Sequence, residues 1–188
     1  MKEARRSAAK IAALFAASAL LLAGCTTPAR PDRMTGDIAP VPQSTEPPEI
    51  ATVFVTVYGD DVGGFASHYY PLPRSDFEQA LLNTIASDSN FAAATSQGDA
   101  DYAVNVGLIS LVAPQWSGNV TLETSWSITT LGEREELGRQ MIRTTSPSPF
   151  SKRREATEEA ARTNIVAGLE WLAERLRSLD GTDSPPDE

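Results

Sequence analysis

Apolar residues recur at every second position in four stretches of this chain and every third or fourth position in two others. This pattern places it in the α+β class, as a two-layer sandwich with a four-stranded mixed sheet and two helices on one face, in the order β-α-β-β-β-α. A crossover through the first helix makes the first two strands parallel, and hairpins make the third and fourth antiparallel. Both helices carry one apolar stripe, so both need cover on the same sheet face.

The elements follow in chain order. Val53, Val55 and Val57 alternate with Thr52, Phe54, Thr56 and Tyr58, so both faces of the first strand can be covered, as a central or parallel position requires. Gly59 to Arg74 reads as a loop. After Pro73, Ser75-Asp76-Phe77-Glu78 has the form of a capping box, and Phe77, Leu81 and Ile85 step along one face of a helix expected to run to about Asn90. Tyr102, Val104, Val106 and Leu108 mark the second strand. Val120, Leu122, Trp126 and Ile128 mark the third, and the connection from Ala113 to Gly118 is short enough for a hairpin. Gly132 to Glu135 makes the next turn, and Glu136 to Thr145 is a weaker fourth strand. Ser151 is placed to cap a long last helix with the stripe Ala161, Ile165, Leu169, Leu172, Leu176, Leu179. Trp126 and Trp171 fall on packing positions.

The chain has 188 residues, a length suited to one domain, and at 41% hydrophobic and 22% charged it is neither a disordered nor a many-span composition. Its single cysteine excludes a disulfide framework, and its single histidine, His68, excludes a His-rich metal site. With 16 basic against 25 acidic residues the net charge is -9, which repels phosphate backbones, so nucleic acid is not an expected partner.

The amino end is the most specific segment. Lys2, Arg5, Arg6 and Lys10 precede an uncharged run from Ile11 to Gly24, and this is the pattern of a secretory signal peptide. The run is shorter than the ~20 apolar residues a helix needs to cross a bilayer. It ends in Leu22-Ala23-Gly24-Cys25, which resembles the lipobox of bacterial lipoproteins. The resemblance implies cleavage before Cys25, diacylation of its thiol and acylation of the new amine, palmitate being an expected chain. It also implies sorting to the outer membrane, because Thr26 stands where the inner-membrane retention signal usually has Asp. Several acyl chains anchor a protein stably where one does so only marginally. Loss of the signal removes four basic residues and one acid (Glu3), leaving 12 basic against 24 acidic residues.

Residues 1–24 are thus read as a lipoprotein signal peptide and 25–50 as an acylated cysteine followed by a disordered tether holding six prolines. Extended as polyproline II, such a tether spans on the order of 75 Å. Residues 51–179 are the periplasmic α+β domain, and 180–188 a disordered acidic tail. The element order of the domain resembles that of small outer-membrane lipoproteins, among them the lipopolysaccharide-assembly lipoprotein, and more loosely the penicillin-binding-protein activator lipoproteins.

Catalytic patterns are not found. His68 lies in a Gly-rich loop, no Gly-x-Ser-x-Gly elbow exists, and Cys25 is committed to its lipid. Asp60-Asp61 and Asp99-x-Asp101 read as turn carboxylates, since neither continues as a calcium loop. Gly59 to Gly64 lacks the dinucleotide fingerprint. No metal, cofactor or enzyme activity is expected.

Chain direction gives a further expectation. If the first strand runs upward, the connections 59–74, 113–118 and 146–150 share the upper edge. They hold Phe65, His68, Tyr69, Tyr70, Trp116 and Phe150, while the lower edge holds no ring, and such a cluster suits a partner-binding edge. Arg143, Lys152, Arg153 and Arg154 lie beside it as a candidate site for anionic lipid. The leading expectation is a membrane-anchored accessory that binds or assembles an envelope complex through a protein partner. A lipid- or lipopolysaccharide-binding module comes second, and an envelope hydrolase third.

Overall fold

The computed structural model describes residues 29–35, 49–63, 71–114, 118–149 and 152–180. They form one mixed five-stranded sheet and three helices, an α+β arrangement with one strand and one helix more than expected. In chain order these are a single helical turn α1 (Pro31–Met34), β1 (Ala51–Tyr58), α2 (Arg74–Ile85), β2 (Phe91–Ala93), β3 (Tyr102–Val112), β4 (Gly118–Thr130), β5 (Glu136–Ser148) and α3 (Arg153–Asp180). The sheet order is β2-β1-β3-β4-β5. β2 and β3 both run parallel to β1, and β3, β4 and β5 form an antiparallel meander, as the alternation of β3, β4 and β5 implies.

The extra strand β2 comes from residues expected at the end of the first helix or just past it. α2 stops at Ile85, because Ser87, Asp88, Ser89 and Asn90 favour turns; the Asp88 carboxylate accepts the Asn90 amide at 2.9 Å. Phe91, released from the helix, is buried at the sheet edge. The helix start also differs from the capping-box expectation. Ser75 lies inside the first turn and bonds only its neighbour Asp76. The Arg74 amide is instead capped across the loop by Asp61, at 2.8 Å.

One sheet face carries both long helices. α2 lies over β1 and β2 and buries Phe77, Leu81 and Ile85, and α3 lies over β4 and β5 and buries Ala161, Ile165, Leu169, Leu172 and Leu176. Facing them are Val53, Val57, Val104, Val106, Leu122, Trp126 and Ile128. Trp126 is wholly buried and stands against Gly168, where a Cβ would lie 2.2 Å from the indole Cζ2; only glycine permits this approach. Trp171 is half-buried and packs on the same core beside Gly138.

A buried polar chain fixes how α3 sits on the sheet. The Trp126 indole N–H and the Asn164 side chain meet at Thr124, with Trp126 Nε1 donating to Thr124 Oγ1 at 2.9 Å and Thr124 donating to Asn164 Oδ1 at 2.7 Å. Asn164 Nδ2 donates to the Ile142 carbonyl, and Thr144 donates to the Ala160 carbonyl at 2.8 Å. These groups are paired with one another, so burying them costs little and registers the helix on β4 and β5. Farther along, Arg175 donates twice to the Leu137 carbonyl, at 2.8 and 2.6 Å.

Residues 29–35 correct the expected tether. Ala29 and Met34 are buried, with Met34 0% exposed, and α1 lies against both α2 and α3. The Arg30 amide donates to the buried Glu158 carboxylate at 3.0 Å, Arg154 approaches the same carboxylate at 3.5 Å, and Arg162 donates to the Arg33 carbonyl. Full burial of a methionine is worth about 1.5–3 kcal/mol, enough to offset ordering a short turn that the proline-rich composition alone would leave loose.

Candidate functional site

Because β4 alternates, Thr121, Glu123, Ser125, Ser127 and Thr129 point away from the helices that hold Leu122, Thr124, Trp126 and Ile128. Their neighbours on that second face are Phe54, Thr56 and Tyr58 of β1, Ala103, Asn105 and Gly107 of β3, and Arg139, Met141, Arg143 and Thr145 of β5. Among the described residues no helix covers this face. The expectation that β1 would be covered on both sides is therefore corrected: β1 is central and parallel, yet Phe54 is half-buried and Thr56 and Tyr58 are exposed.

The face is small and polar in the middle with larger groups standing above it. Tyr58 folds across Gly107, its direct neighbour on β3, where a Cβ would fall 2.7 Å from the ring. Gly107 adjoins Ser125, which adjoins Met141, so the ring of Tyr58 and the thioether of Met141 flank a shallow floor of Gly and Ser. Tyr58 is 41% exposed and Met141 48%. A β-bulge between Leu108 and Ser110 leaves Ile109 as an extra, exposed residue, and Val112 is exposed near the strand end. At the opposite end of the same face Gln97, Ala103, Asn105, Thr129, Thr130, Leu131 and Arg134 line a hollow of about 260 Å³. Arg134 holds the left-handed backbone position of the β4–β5 turn, with φ 56°.

Charge on this face is locally paired. Arg139 donates to Glu136 through Nε at 3.1 Å and through Nη2 at 2.6 Å. These bonds hold the Glu136 carboxyl below its ordinary range and push the Arg139 guanidinium up. Glu123 accepts from Ser110 and stands opposite Arg143.

The four cations proposed for anionic lipid are not brought together. Arg143 lies on the bare face, whereas its strand neighbours Ile142 and Thr144 face α3. Lys152 is exposed at the start of α3, with its amine 3.8 Å from Glu155. Arg153 is buried, at 5% exposure, and Arg154 is turned toward Glu158. Cys25, Phe65, His68, Tyr69, Tyr70, Trp116 and Phe150 lie outside the described residues, as do the signal segment, Ser151 and residues 181–188. The strand directions place the ends of β1, β3 and β5 and the start of β4 at one end of the sheet.

Three of the four carboxylates in the acidic pairs are engaged in backbone or turn bonds. Asp61 caps α2, Asp101 accepts the Thr52 amide at 2.7 Å, and Asp99 accepts the Ser96 hydroxyl at 2.7 Å. Among the described residues no three His, Cys, Asp or Glu side chains gather to hold a metal ion. No described helix is long and apolar enough to cross a membrane.

The bare face was not among the features expected from the sequence. Its signal was present in Gly107, Ser125 and Ser127, small residues at alternate positions of strands whose other positions carry bulky apolar groups.

No family model and no curated protein sequence matches the chain. Solved structures share its fold. Protein XCC0632 from Xanthomonas campestris, of family DUF330, is 12% identical with a TM-score of 0.60, covering 83% of this chain and 99% of that one. Hypothetical protein CT253 from Chlamydia trachomatis is 6% identical with a TM-score of 0.52, over 68% of this chain and 98% of that one. Lipoprotein GNA1162 from Neisseria meningitidis overlaps less closely, with 12% identity, a TM-score of 0.31, and coverage of 66% and 99%. At such identities the likeness to the first two shows the fold alone.

Proposed function

We propose that this chain is a lipid-anchored envelope lipoprotein, sorted to the outer membrane and facing the periplasm, whose α+β domain acts without catalysis as a binding or assembly accessory of an envelope complex. The observation that carries this reading is Leu22-Ala23-Gly24-Cys25 at the end of a charged and then apolar leader, followed by a domain that holds no further thiol. Two features of the domain support the accessory role. Asp61, Asp99 and Asp101, among the carboxylates that might have served chemistry, are engaged in turn, cap and backbone bonds. One face of the sheet presents Tyr58, Met141, Ile109 and Val112 above a polar floor, a mixture of amphipathic anchor and hydrogen-bonding groups suited to a protein partner.

The test has two arms. Intact mass of the wild type should show diacylglycerol and an N-acyl chain on Cys25, and Cys25→Ser should leave an uncleaved precursor; a mature form without acyl mass overturns the anchor. A photocrosslinker at Tyr58 or Val112 should join the protein to one envelope polypeptide in cells. Equal yields from these sites and from Glu174 on α3 would overturn the bare-face assignment.

A further inference from the structure

The seated segment 29–35 changes what an anchor at Cys25 does to the domain. Arg30 lies beside Glu158 and Arg33 beside Arg162, so α1 runs along α3 away from the helix start, and Ala29 is the described residue of this segment nearest that start. The start of α3 lies at the end of the sheet where β1, β3 and β5 stop. Only four residue steps separate Cys25 from Ala29, a reach of at most about 14 Å even when fully extended. The 28 residues of α3, by contrast, run about 42 Å from that end to the other.

We infer that α1 is a strap that holds the end of the domain where β1, β3 and β5 stop on the phospholipid surface, with the strands upright and the bare sheet face turned sideways along the membrane. This rests on the lipid anchor proposed above and deepens it, since the membrane becomes the docking partner of one particular end. The occupant of that end is the bilayer, because a chain of at most about 14 Å leaves no room for the domain to hang free. Headgroup charge is not the main attraction: among the described residues this end mixes Arg74, Lys152, Arg153 and Arg154 with Asp60, Asp61, Asp76 and Glu155. The strap supplies the proximity, and its hold is apolar, through Ala29 and Met34, with Glu158 as the polar latch.

The experiment uses the full acylated protein, in which an introduced cysteine is the only free thiol. Val112→Cys at the strap-side end and Glu133→Cys at the far turn each carry a fluorophore. The protein is reconstituted in vesicles of phosphatidylethanolamine and phosphatidylglycerol containing a headgroup-linked quencher. The label at 112 should be quenched several-fold more than the label at 133. Met34→Asp should abolish that difference while circular dichroism stays native. Should that variant fail to fold, inserting about twenty-five Gly and Ser residues between Thr27 and Pro28, which adds a root-mean-square reach of roughly 25–30 Å, should abolish it with α1 still seated. Equal quenching of the two labels in the acylated protein, or a difference that survives the insertion, overturns the strap. Absence of acyl mass on Cys25 overturns the anchor reading instead, so the two failures are told apart.

Discussion

The two faces of β4 come from one backbone and differ in every respect that matters for function. Val120, Leu122, Thr124, Trp126 and Ile128 are buried under α3, and even their polar groups are used up internally. One residue away in each case, Thr121, Glu123, Ser125, Ser127 and Thr129 face away from α3 beside residues of β3 and β5, with Ser125 and Ser127 themselves buried. The buried core therefore lies on one side of the sheet and the proposed recognition surface on the other, so substitutions on the two sides are expected to separate stability from partner capture.

The sharpest way to break this contrast is Trp126→Ala. It removes a wholly buried indole and leaves Thr124 and Asn164 without its N–H, so it should cost about 3–5 kcal/mol, read as an early denaturant midpoint. A loss under 1 kcal/mol would mean that α3 does not depend on the core face. Gly168→Ala probes the same contact from the helix. The new methyl meets the indole at 2.2 Å, and the overpacking cost of about 1–3 kcal/mol should exceed the helix-propensity gain of under about 1 kcal/mol.

On the other face, Tyr58→Ala with Met141→Ala should lower stability by about 1 kcal/mol or less, because both side chains are nearly half exposed, while partner crosslinking from Val112 falls sharply. If the pair melts as early as the Trp126 variant, the bare face is structural and the contrast fails.

The smallest effect is expected at Glu136→Gln. Arg139 lowers the native pKa of Glu136 below its ordinary 4.5, so the pair stabilises the fold above that value, and the contribution is lost as pH falls through the lowered native pKa. Wild type and variant should differ slightly at neutral pH and converge in acid. Both groups are solvent-exposed, so the gap should also close with added salt.

Several elements were legible in the residues alone. Phe77, Leu81 and Ile85 announced α2's buried face, and the stripe from Ala161 to Leu176 announced α3's, because a 3.6-residue period leaves one face for the core. The alternation through Val104, Val106, Trp126 and Ile128 announced the long meander for the same reason at period two. β2 was not legible, since three residues carry no period, and the edge of β1 alone gives Phe91 its place. Nor was the cap on α2, where Asp61 reaches from thirteen residues away and no local box reveals it.

The boundary between the two kinds of knowledge runs through residues 25 to 35. The charged and apolar amino end and Leu22-Ala23-Gly24-Cys25 are covalent and local patterns, and the proposed anchor at Cys25 rests on their resemblance to a lipobox. Whether the next ten residues form a free tether depends on partners far along the chain, on the pocket that receives Met34 and on Glu158, 128 positions from Arg30. Proline content lowers the local tendency to order, but it does not report a distant cavity of the right shape. The same holds for the sheet: period two separates β4's two faces, but only the assembled layers decided which of them α3 would bury and which stayed bare, because helix packing is chosen by the summed shape and polarity of all five strands.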